Sequence, residues 1–423
     1  MKKEGTFLKK ASRFWRELGP GLVTGASDED PAGITTHSIA GAQGGYRPIW
    51  VALYVTPLMI AVQEMCSRIG LMTGKGLAGV IKEHYDRRLL WLVAIILLGA
   101  NTLNIGADLD GMAAATALIL PFSSHALALF YTGLIIVLMV WVPYHKLAGV
   151  LKWLTLTLFA YVATAFVAHL QWTEVLKNLV VPHLEFSKEY VTIIVALFGS
   201  TISPYLFFWA ATSEMENHKG KERKDHRRLV VTGHELKSMR TDVTIGILFS
   251  NLVMFFVIAT TASVLFGTGL NPDSSIADVA SALRPFAGDA AFLLFAIGAV
   301  GTGLLAIPVL AGSSAYVLAE VFGWKEGLER KFRRAKAFYG IIIFSSVVGF
   351  FMTTLGYNPV FLLFLTSVVY GATSPPLIAV IMHIANNRKI MDGKTNGIVS
   401  NVMGFITLAV MTFAVVAMFV FMS

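Results

Sequence analysis

Long apolar runs constrain this chain more than any other feature of its sequence. A membrane-spanning helix needs about 20 mostly apolar residues, and about eleven such runs follow one another along the 423 residues. Charged residues make up only 14% of the chain, against about 25% in a soluble domain. The sequence therefore predicts an all-α membrane protein. Its expected spans are Gly19–Gln43, Ile49–Leu71, Leu89–Leu120, Ala126–Val142, Leu147–Leu170, Tyr190–Glu214, Thr241–Phe266, Ala290–Phe322, Phe338–Leu355, Pro359–Ile384 and Gly397–Met422.

The lysines and arginines predict how these spans are oriented. Basic residues cluster in every second connection, most densely between 219 and 240, and the alternate connections hold only Arg47, Lys177, Lys188 and Arg284. The positive-inside rule then predicts a cytoplasmic N-terminal tail and, after eleven crossings, an extracytoplasmic C-terminus. This pattern accounts for the net charge of +8 without a nucleic-acid partner. The single cysteine, Cys66, excludes a disulfide framework.

Polar and helix-breaking residues interrupt the first and the sixth span. The interruptions are residues 25–33 (GASDEDPAG) and 199–205 (GSTISPY). Each carboxylate at the bilayer centre costs about 2.5–3.5 kcal/mol, and Pro31 and Pro204 lack a backbone N–H. Unwound backbone at that depth is tolerated where it is buried in protein or lines a cavity. We therefore expect two broken helices whose breaks face each other and form an ion site. Two ordinary proline kinks are the alternative.

The positions of the breaks, in the first and sixth of ten spans, predict two inverted five-helix repeats followed by an eleventh helix. The expected division is a tail (1–18), a first repeat (19–170), an extracytoplasmic connection (171–189), a second repeat (190–384) and a final loop and helix (385–423). Leu77–Tyr85 and Val175–Leu184 are expected to form short interfacial helices.

Three short motifs carry a resemblance to a known family. Residues 19–21 (GPG), 30–33 (DPAG) and 203–205 (SPY) resemble the Nramp family of divalent-metal transporters, and the similarity covers essentially the whole chain. The resemblance implies a LeuT-type fold that binds a metal ion between the two breaks. It implies that Asp30 is the metal-binding carboxylate, with Ser27 and Ser200 supplying backbone carbonyls.

The chain departs from the family pattern at three positions of this site. Gly33 replaces an asparagine, Ser203 replaces a methionine, and Tyr205 replaces a histidine. A thioether suits transition metals, whereas hydroxyl, carbonyl and carboxylate oxygens suit hard ions, and Mg²⁺ keeps several of its waters. These departures resemble the Nramp-related magnesium transporter branch. We therefore expect a site for Mg²⁺, with Mn²⁺ as the nearest rival.

The resemblance also bears on proton coupling. The family's proton route uses the histidine of the sixth helix and an Asp-x-x-Glu pair in the third. Here Asp108 matches the aspartate, Gly111 stands at the glutamate position, and Asp110 is a neighbour that could partly substitute. Without a histidine at position 205, a relay lacks a group that titrates near neutral pH, so we expect uncoupled transport. Glu29, Thr201 and Tyr205 are further candidates for the ion pathway.

Several other side chains have a structural interpretation. His37, Thr366, Ser367 and Ser374 fit packing between helices, with a hydroxyl ligand for the ion as the alternative for the last three. Glu64 is expected to pair with Arg68 one turn later. No nucleotide-binding, zinc-protease or hydrolase motif is present in the sequence, so we expect neither an enzyme nor a cofactor. The alternatives to a magnesium transporter are a proton-coupled transition-metal importer, a symporter of a small organic substrate, an ion channel, and a relative that has lost transport.

Overall fold

The computed structural model describes residues 24–422, except residues 26, 144–145, 147–148, 150–156, 169 and 226–230. The GPG motif, the N-terminal tail and part of the fifth expected span lie outside the described residues. Within them the α-helices, numbered in chain order, are α1 (Pro31–Gly44), α2 (Trp50–Thr73), α3 (Leu77–His84), α4 (Arg87–Ala117), α5 (Ser124–Trp141), α6 (Phe159–Val167), α7 (Trp172–Val180), α8 (Lys188–Thr201), α9 (Pro204–Asp225), α10 (Gly233–Val264), α11 (Ile276–Ala280), α12 (Arg284–Ala287), α13 (Ala291–Phe322), α14 (Lys336–Thr353), α15 (Pro359–Asn386) and α16 (Ile398–Met422).

Nine helical segments of the described chain are long and apolar enough to cross a membrane. They correspond to nine of the eleven expected spans. The other two expected spans, the first and the fifth, include residues outside the described part, and α1 and α6 are the helices seen within them. The short helices α3 and α7 match the two predicted interfacial segments. The division into repeats and the orientation in the membrane stay predictions.

Helix α10 begins eight residues before the predicted span. Thr232 accepts a hydrogen bond from the Glu235 amide, and the Glu235 side chain accepts one from the Thr232 amide. This capping box satisfies two of the backbone donors that a helix start leaves unpaired. The polar first turns are therefore helical although they are too hydrophilic to be counted as part of the membrane span.

The sixth span lies at the centre of the bundle and the eleventh at its edge. In the most apolar stretch of each, 89% of the sixth span is buried, against 28% of the eleventh. The sixth span is buried because its backbone approaches its neighbours closely. A Cβ atom placed on Gly199 would collide with the Ser367 carbonyl and the Gly371 amide of α15. Glycine at this position lets α8 and α15 pack backbone against backbone.

Glu64 of α2 makes a wider ion-pair network than the sequence predicts. The expected pair with Arg68 is present, with Arg68 Nε 3.9 Å from Glu64 Oε1. Arg240 of α10 is closer, with Nη2 3.0 Å from the same oxygen, and Ser400 of α16 donates to Glu64 Oε2 at 3.2 Å. Glu64 therefore ties three helices together at one end of the bundle.

Candidate metal site

The first span is interrupted between Asp28 and Pro31. Residues 24, 25, 27 and 28 are helical, Glu29 and Asp30 are not, and α1 begins at Pro31. Proline at the first helical position loses no hydrogen bond, because that N–H has no partner within the helix. The Asp30 side chain caps the new helix, since its Oδ1 accepts from the Gly33 amide at 2.6 Å. The local sequence thus both ends one helix and starts the next.

The sixth span is interrupted in the same way. Helix α8 ends at Thr201, Ile202 and Ser203 are non-helical, and α9 begins at Pro204. The Ser203 hydroxyl lies 2.7 Å from the Gly199 carbonyl and 3.0 Å from the Ser200 carbonyl. Ser374 of α15 donates to the Ile202 carbonyl at 2.6 Å. These hydroxyls satisfy carbonyls that the break releases, so Ser374 makes a hydrogen bond between helices in addition to the packing that the sequence predicts.

The two breaks face each other. The Tyr205 hydroxyl donates to the Ser27 carbonyl at 3.1 Å, and His37 Nε2 lies 3.2 Å from the Ser200 hydroxyl. Each contact joins one span to the other across the breaks. The prediction of two discontinuous helices that meet inside the bundle is confirmed, and the alternative of two proline kinks is excluded.

Asp30 is buried and held by two donors. Besides the Gly33 amide, Asn104 of α4 donates from Nδ2 to Asp30 Oδ2 at 2.9 Å, and only 4% of Asp30 is exposed. The sequence analysis gave Asn104 no role. The sequence could have indicated Asn104 through its spacing from Asp108, because residues four apart lie on one face of a helix.

Asp108 also reaches this site, whereas Asp110 does not. Asp108 is fully buried within electrostatic range of Asp30 and of the Ala32 amide. Its two oxygens make no hydrogen bond of normal geometry to any residue in the described ranges. Asp110 instead interacts electrostatically with His125, at the start of α5. A Cβ atom at Gly111 would lie 3.6 Å from the Pro31 side chain, so this position borders the first break.

The remaining candidates lie around the breaks. Glu29 is buried, with Oε1 2.9 Å from the Ser250 hydroxyl of α10. Thr201 donates to the Leu197 carbonyl at 2.9 Å and to the Met254 sulfur at 3.7 Å.

The described residues contain no group of three or more His, Cys, Asp or Glu side chains arranged to hold a metal ion. A metal ion at this position would therefore be bound by Asp30 together with neutral oxygens.

Comparison with known proteins agrees with this geometry. The sequence model of the family described as "Natural resistance-associated macrophage protein-like" (Nramp) matches residues 21–421. The chain belongs to the Nramp family. Its relatives include the divalent metal cation transporter MntH of Klebsiella pneumoniae subsp. pneumoniae, 24% identical over 90% of this chain and 87% of the relative. Membership in Nramp confirms the prediction of a multi-spanning membrane transport protein rather than an enzyme.

Solved structures confirm the LeuT-type fold. An Eremococcus coleocola manganese transporter superposes with a TM-score of 0.76 at 17% identity, over 95% of this chain and 86% of that one. The amino-acid-bound transporter MhsT has a TM-score of 0.57 at 12% identity, over 95% and 98% of the chains. At such identities the likeness concerns the fold alone, so the ion of this Nramp chain has to be argued from its own site.

Proposed function

We propose that this chain is a secondary transporter of divalent metal cations that favours Mg²⁺, accepts Mn²⁺ and moves neither together with protons. The observation that carries the proposal is the chemistry of the donors at the two breaks. The site residues proposed as ligands are Asp30, Ser203 and the carbonyls of Ser27 and Ser200, with Gly33 leaving space beside them. All of these donors are oxygens.

Oxygen donors support a hard cation. A carboxylate, a hydroxyl and carbonyls are ligands that Mg²⁺ and Mn²⁺ accept, and soft transition metals gain little from them. The Ser27 carbonyl accepts a hydrogen bond from Tyr205, and the Ser200 carbonyl accepts one from Ser203. Both carbonyls therefore lie at the place where the two breaks meet, where they could also face an ion or a water of its hydration shell. A single carboxylate is enough for Mg²⁺, because this ion usually retains several waters.

Uncoupled transport is supported by the residues at the two positions where the family has its proton-relay groups, Tyr205 and Gly111. Tyr205 donates its hydroxyl to the Ser27 carbonyl, which is a structural role. Asp108 has Gly111 three residues later, so no second carboxylate follows it on the same face of α4. With the predicted orientation, the gradient of the cation itself would drive uptake into the cell.

One observation favours the alternative of a proton-coupled importer. His37 lies between the breaks, 3.2 Å from Ser200 on one side and 3.6 Å from Glu29 on the other. Histidine is the side chain that most readily carries a proton near neutral pH. It occupies a different position from the family's histidine, yet it contacts the same break.

Ion uptake into liposomes tests both candidates. Purified chain is reconstituted, and uptake of Mg²⁺, Mn²⁺ and Ca²⁺ is followed together with a pH-sensitive dye inside the vesicles. We expect Mg²⁺ uptake without acidification, and competition between Mg²⁺ and Mn²⁺. Acidification in proportion to the metal, lost in His37→Gln, would establish the coupled alternative. Mn²⁺ uptake that excess Mg²⁺ does not reduce would contradict the hard-ion site.

A further inference from the structure

A second buried polar cluster lies beside the first break, on the side of α10. Asp28, Glu29, His37 and Ser250 are linked by contacts, Asn251 follows Ser250 on α10, and we call these five residues the α10 cluster. Each of these residues is 5% exposed or less. The Ser250 hydroxyl lies 2.8 Å from Asp28 Oδ2 and 2.9 Å from Glu29 Oε1, so one hydroxyl bridges two carboxylates. Asp30 points away from this cluster, toward Asn104 on α4.

The bridging hydroxyl cannot satisfy both carboxylates. A serine carries one O–H proton, so Ser250 donates to Asp28 or to Glu29 but never to both at once. The other contact brings a hydroxyl lone pair to within 3 Å of a carboxylate oxygen. Such a contact is repulsive unless one carboxyl group carries a proton or a cation lies between the two oxygens. The geometry therefore requires a proton or a bound cation.

The contacts of His37 also leave buried polar atoms of this cluster unsatisfied. The Ser200 hydroxyl donates its proton to the Leu197 carbonyl, at 3.1 Å. His37 Nε2 must then be the donor in its contact with Ser200, which leaves Nδ1 as the acceptor of a neutral ring. Nδ1 faces Glu29 Oε2 at 3.6 Å, and neither atom has a hydrogen-bond partner. Two acceptors thus face each other across a gap.

Further polar atoms of the α10 cluster are buried without hydrogen-bond partners. They are Asp28 Oδ1 and both amide atoms of Asn251. On α10, Gly246 packs against Gly25 of the first break, and Met254 contacts Thr201 of the second. Asn251 lies between these two residues, so it lies at the same depth in the bundle as the breaks. The Tyr161 hydroxyl of α6 is also buried, within electrostatic range of Glu29 and close to the Ser38 hydroxyl. An unpaired buried amide costs free energy comparable to a lost hydrogen bond.

The charges of the α10 cluster do not balance. Asp28 and Glu29 bring two carboxylates, and among the described residues the basic side chain that faces either of them is His37, beside Glu29. Carboxylates buried in a membrane protein persist when a charge of opposite sign compensates them. The donors that remain open are carboxylate and amide oxygens, which are ligands for hard cations.

We propose that the α10 cluster binds a second metal cation, distinct from the ion at Asp30. The ligands would be Asp28, Glu29, the Ser250 hydroxyl and the Asn251 amide oxygen, with water completing the shell. The cation belongs to the hard, oxygen-binding class of Na⁺, Mg²⁺ and Ca²⁺. This site goes beyond the proposed transport function and does not depend on which ion Asp30 selects.

Thermal unfolding of the purified full chain tests this site, because a ligand that binds the folded state raises Tm in a saturable way. NaCl, MgCl₂ and CaCl₂ are titrated against choline chloride of equal ionic strength. The background is Asp30→Asn, which removes the first site. We expect at least one of the three cations to raise Tm saturably in that background. The cation that does so distinguishes a monovalent from a divalent site.

Two substitutions on α10 then assign the effect. Asn251→Ala and Ser250→Ala, each in the Asp30→Asn background, should raise the half-saturating concentration at least tenfold. Thr244→Ala is the matched control, because within the described ranges its hydroxyl bonds to the Arg240 carbonyl of its own helix and to no other residue; it should leave the concentration unchanged. Two variants are used so that one remains informative if the other fails to fold.

Two results would overturn the proposal. If no cation raises the Tm of Asp30→Asn above the choline control, the α10 cluster is neutralised by protons alone. If the stabilisation survives both α10 substitutions, the cation binds elsewhere. Failure of the transport function would be seen separately, as wild-type liposomes that take up no divalent metal.

Discussion

Asn104 offers the sharpest test of how the metal site is built. Its amide is one of two groups that donate to the Asp30 carboxylate, at 2.9 Å, and the other is the Gly33 backbone. Asn104→Ala removes one donor and leaves the carboxylate itself in place. We expect weaker ion binding, because Asp30 would lose a hydrogen bond that holds it in position and stabilises its charge.

The magnitude follows from the kind of hydrogen bond that is lost. A hydrogen bond to a charged group contributes about 1.5–3 kcal/mol, and about 1.4 kcal/mol corresponds to a factor of ten in affinity. The half-saturating concentration of Mg²⁺ should therefore rise by about tenfold to a hundredfold. The maximal rate should change much less, since Asn104 positions the ligand and does not move with the ion.

Initial rates of Mg²⁺ uptake into liposomes, over a range of concentrations, measure both quantities. Thr102→Val is the matched control, because Thr102 is buried on the same helix and its hydroxyl has no hydrogen-bond partner within the described chain. It should transport like the wild type. Wild-type half-saturation in Asn104→Ala would refute the role of this amide, and a fall in the maximal rate alone would point to a structural defect.

Four other substitutions test separate parts of the structure. Asp30→Asn should abolish Mg²⁺ uptake in liposomes while the purified protein stays folded, and wild-type rates would remove Asp30 from the site. Ser203→Met should shift the uptake preference toward Mn²⁺ and Cd²⁺ by adding a soft ligand, whereas Met254→Leu should leave the preference unchanged if its sulfur plays no part. Gly199→Ala should lower Tm by several degrees, because the added methyl group meets facing backbone; an unchanged Tm would show that the helices can separate there. Burial and two neighbouring glutamates raise the pKa of Glu326, in the loop after α13, from 4.5 to about 8. Its contribution to stability is therefore full below pH 4.5 and is lost as the pH rises toward 8, so Glu326→Gln should gain Tm over the wild type across that interval.

The sequence predicts which segments form membrane-spanning helices better than it predicts which side chains contact each other. Apolar length alone identifies the spans, because a helix that crosses lipid must satisfy its own backbone. The first break is marked in the sequence by three carboxylates beside Pro31. The second is marked less distinctly, because α15 continues as a helix through Pro375 and Pro376, which also follow small polar residues. The start of α10 was missed because a capping box adds polar helical turns outside the apolar run.

The sequence does not predict which side chains contact the site residues. Asn104 and Asp30 are 74 residues apart, and Ser250 and Asp28 are 222 apart. Which side chains meet depends on the rotation of each helix about its own axis, where neighbouring residues differ by about 100°. Hydropathy limits that rotation only loosely in spans that are buried on all sides. The pairing of Glu64 with Arg240 rather than with Arg68 alone has the same origin.

The three consecutive acids of the first break show what unwinding achieves. Asp28 and Glu29 share Ser250 on α10, whereas the next residue, Asp30, turns to α4 and caps α1. The hydrogen bonds of these three carboxylates are thus divided between two neighbouring helices, α10 and α4. Neutralising Asp30 should therefore abolish transport and leave the α10 cluster intact. Substitutions in the α10 cluster should instead remove the stabilisation by cations, so the two effects can be separated by mutation.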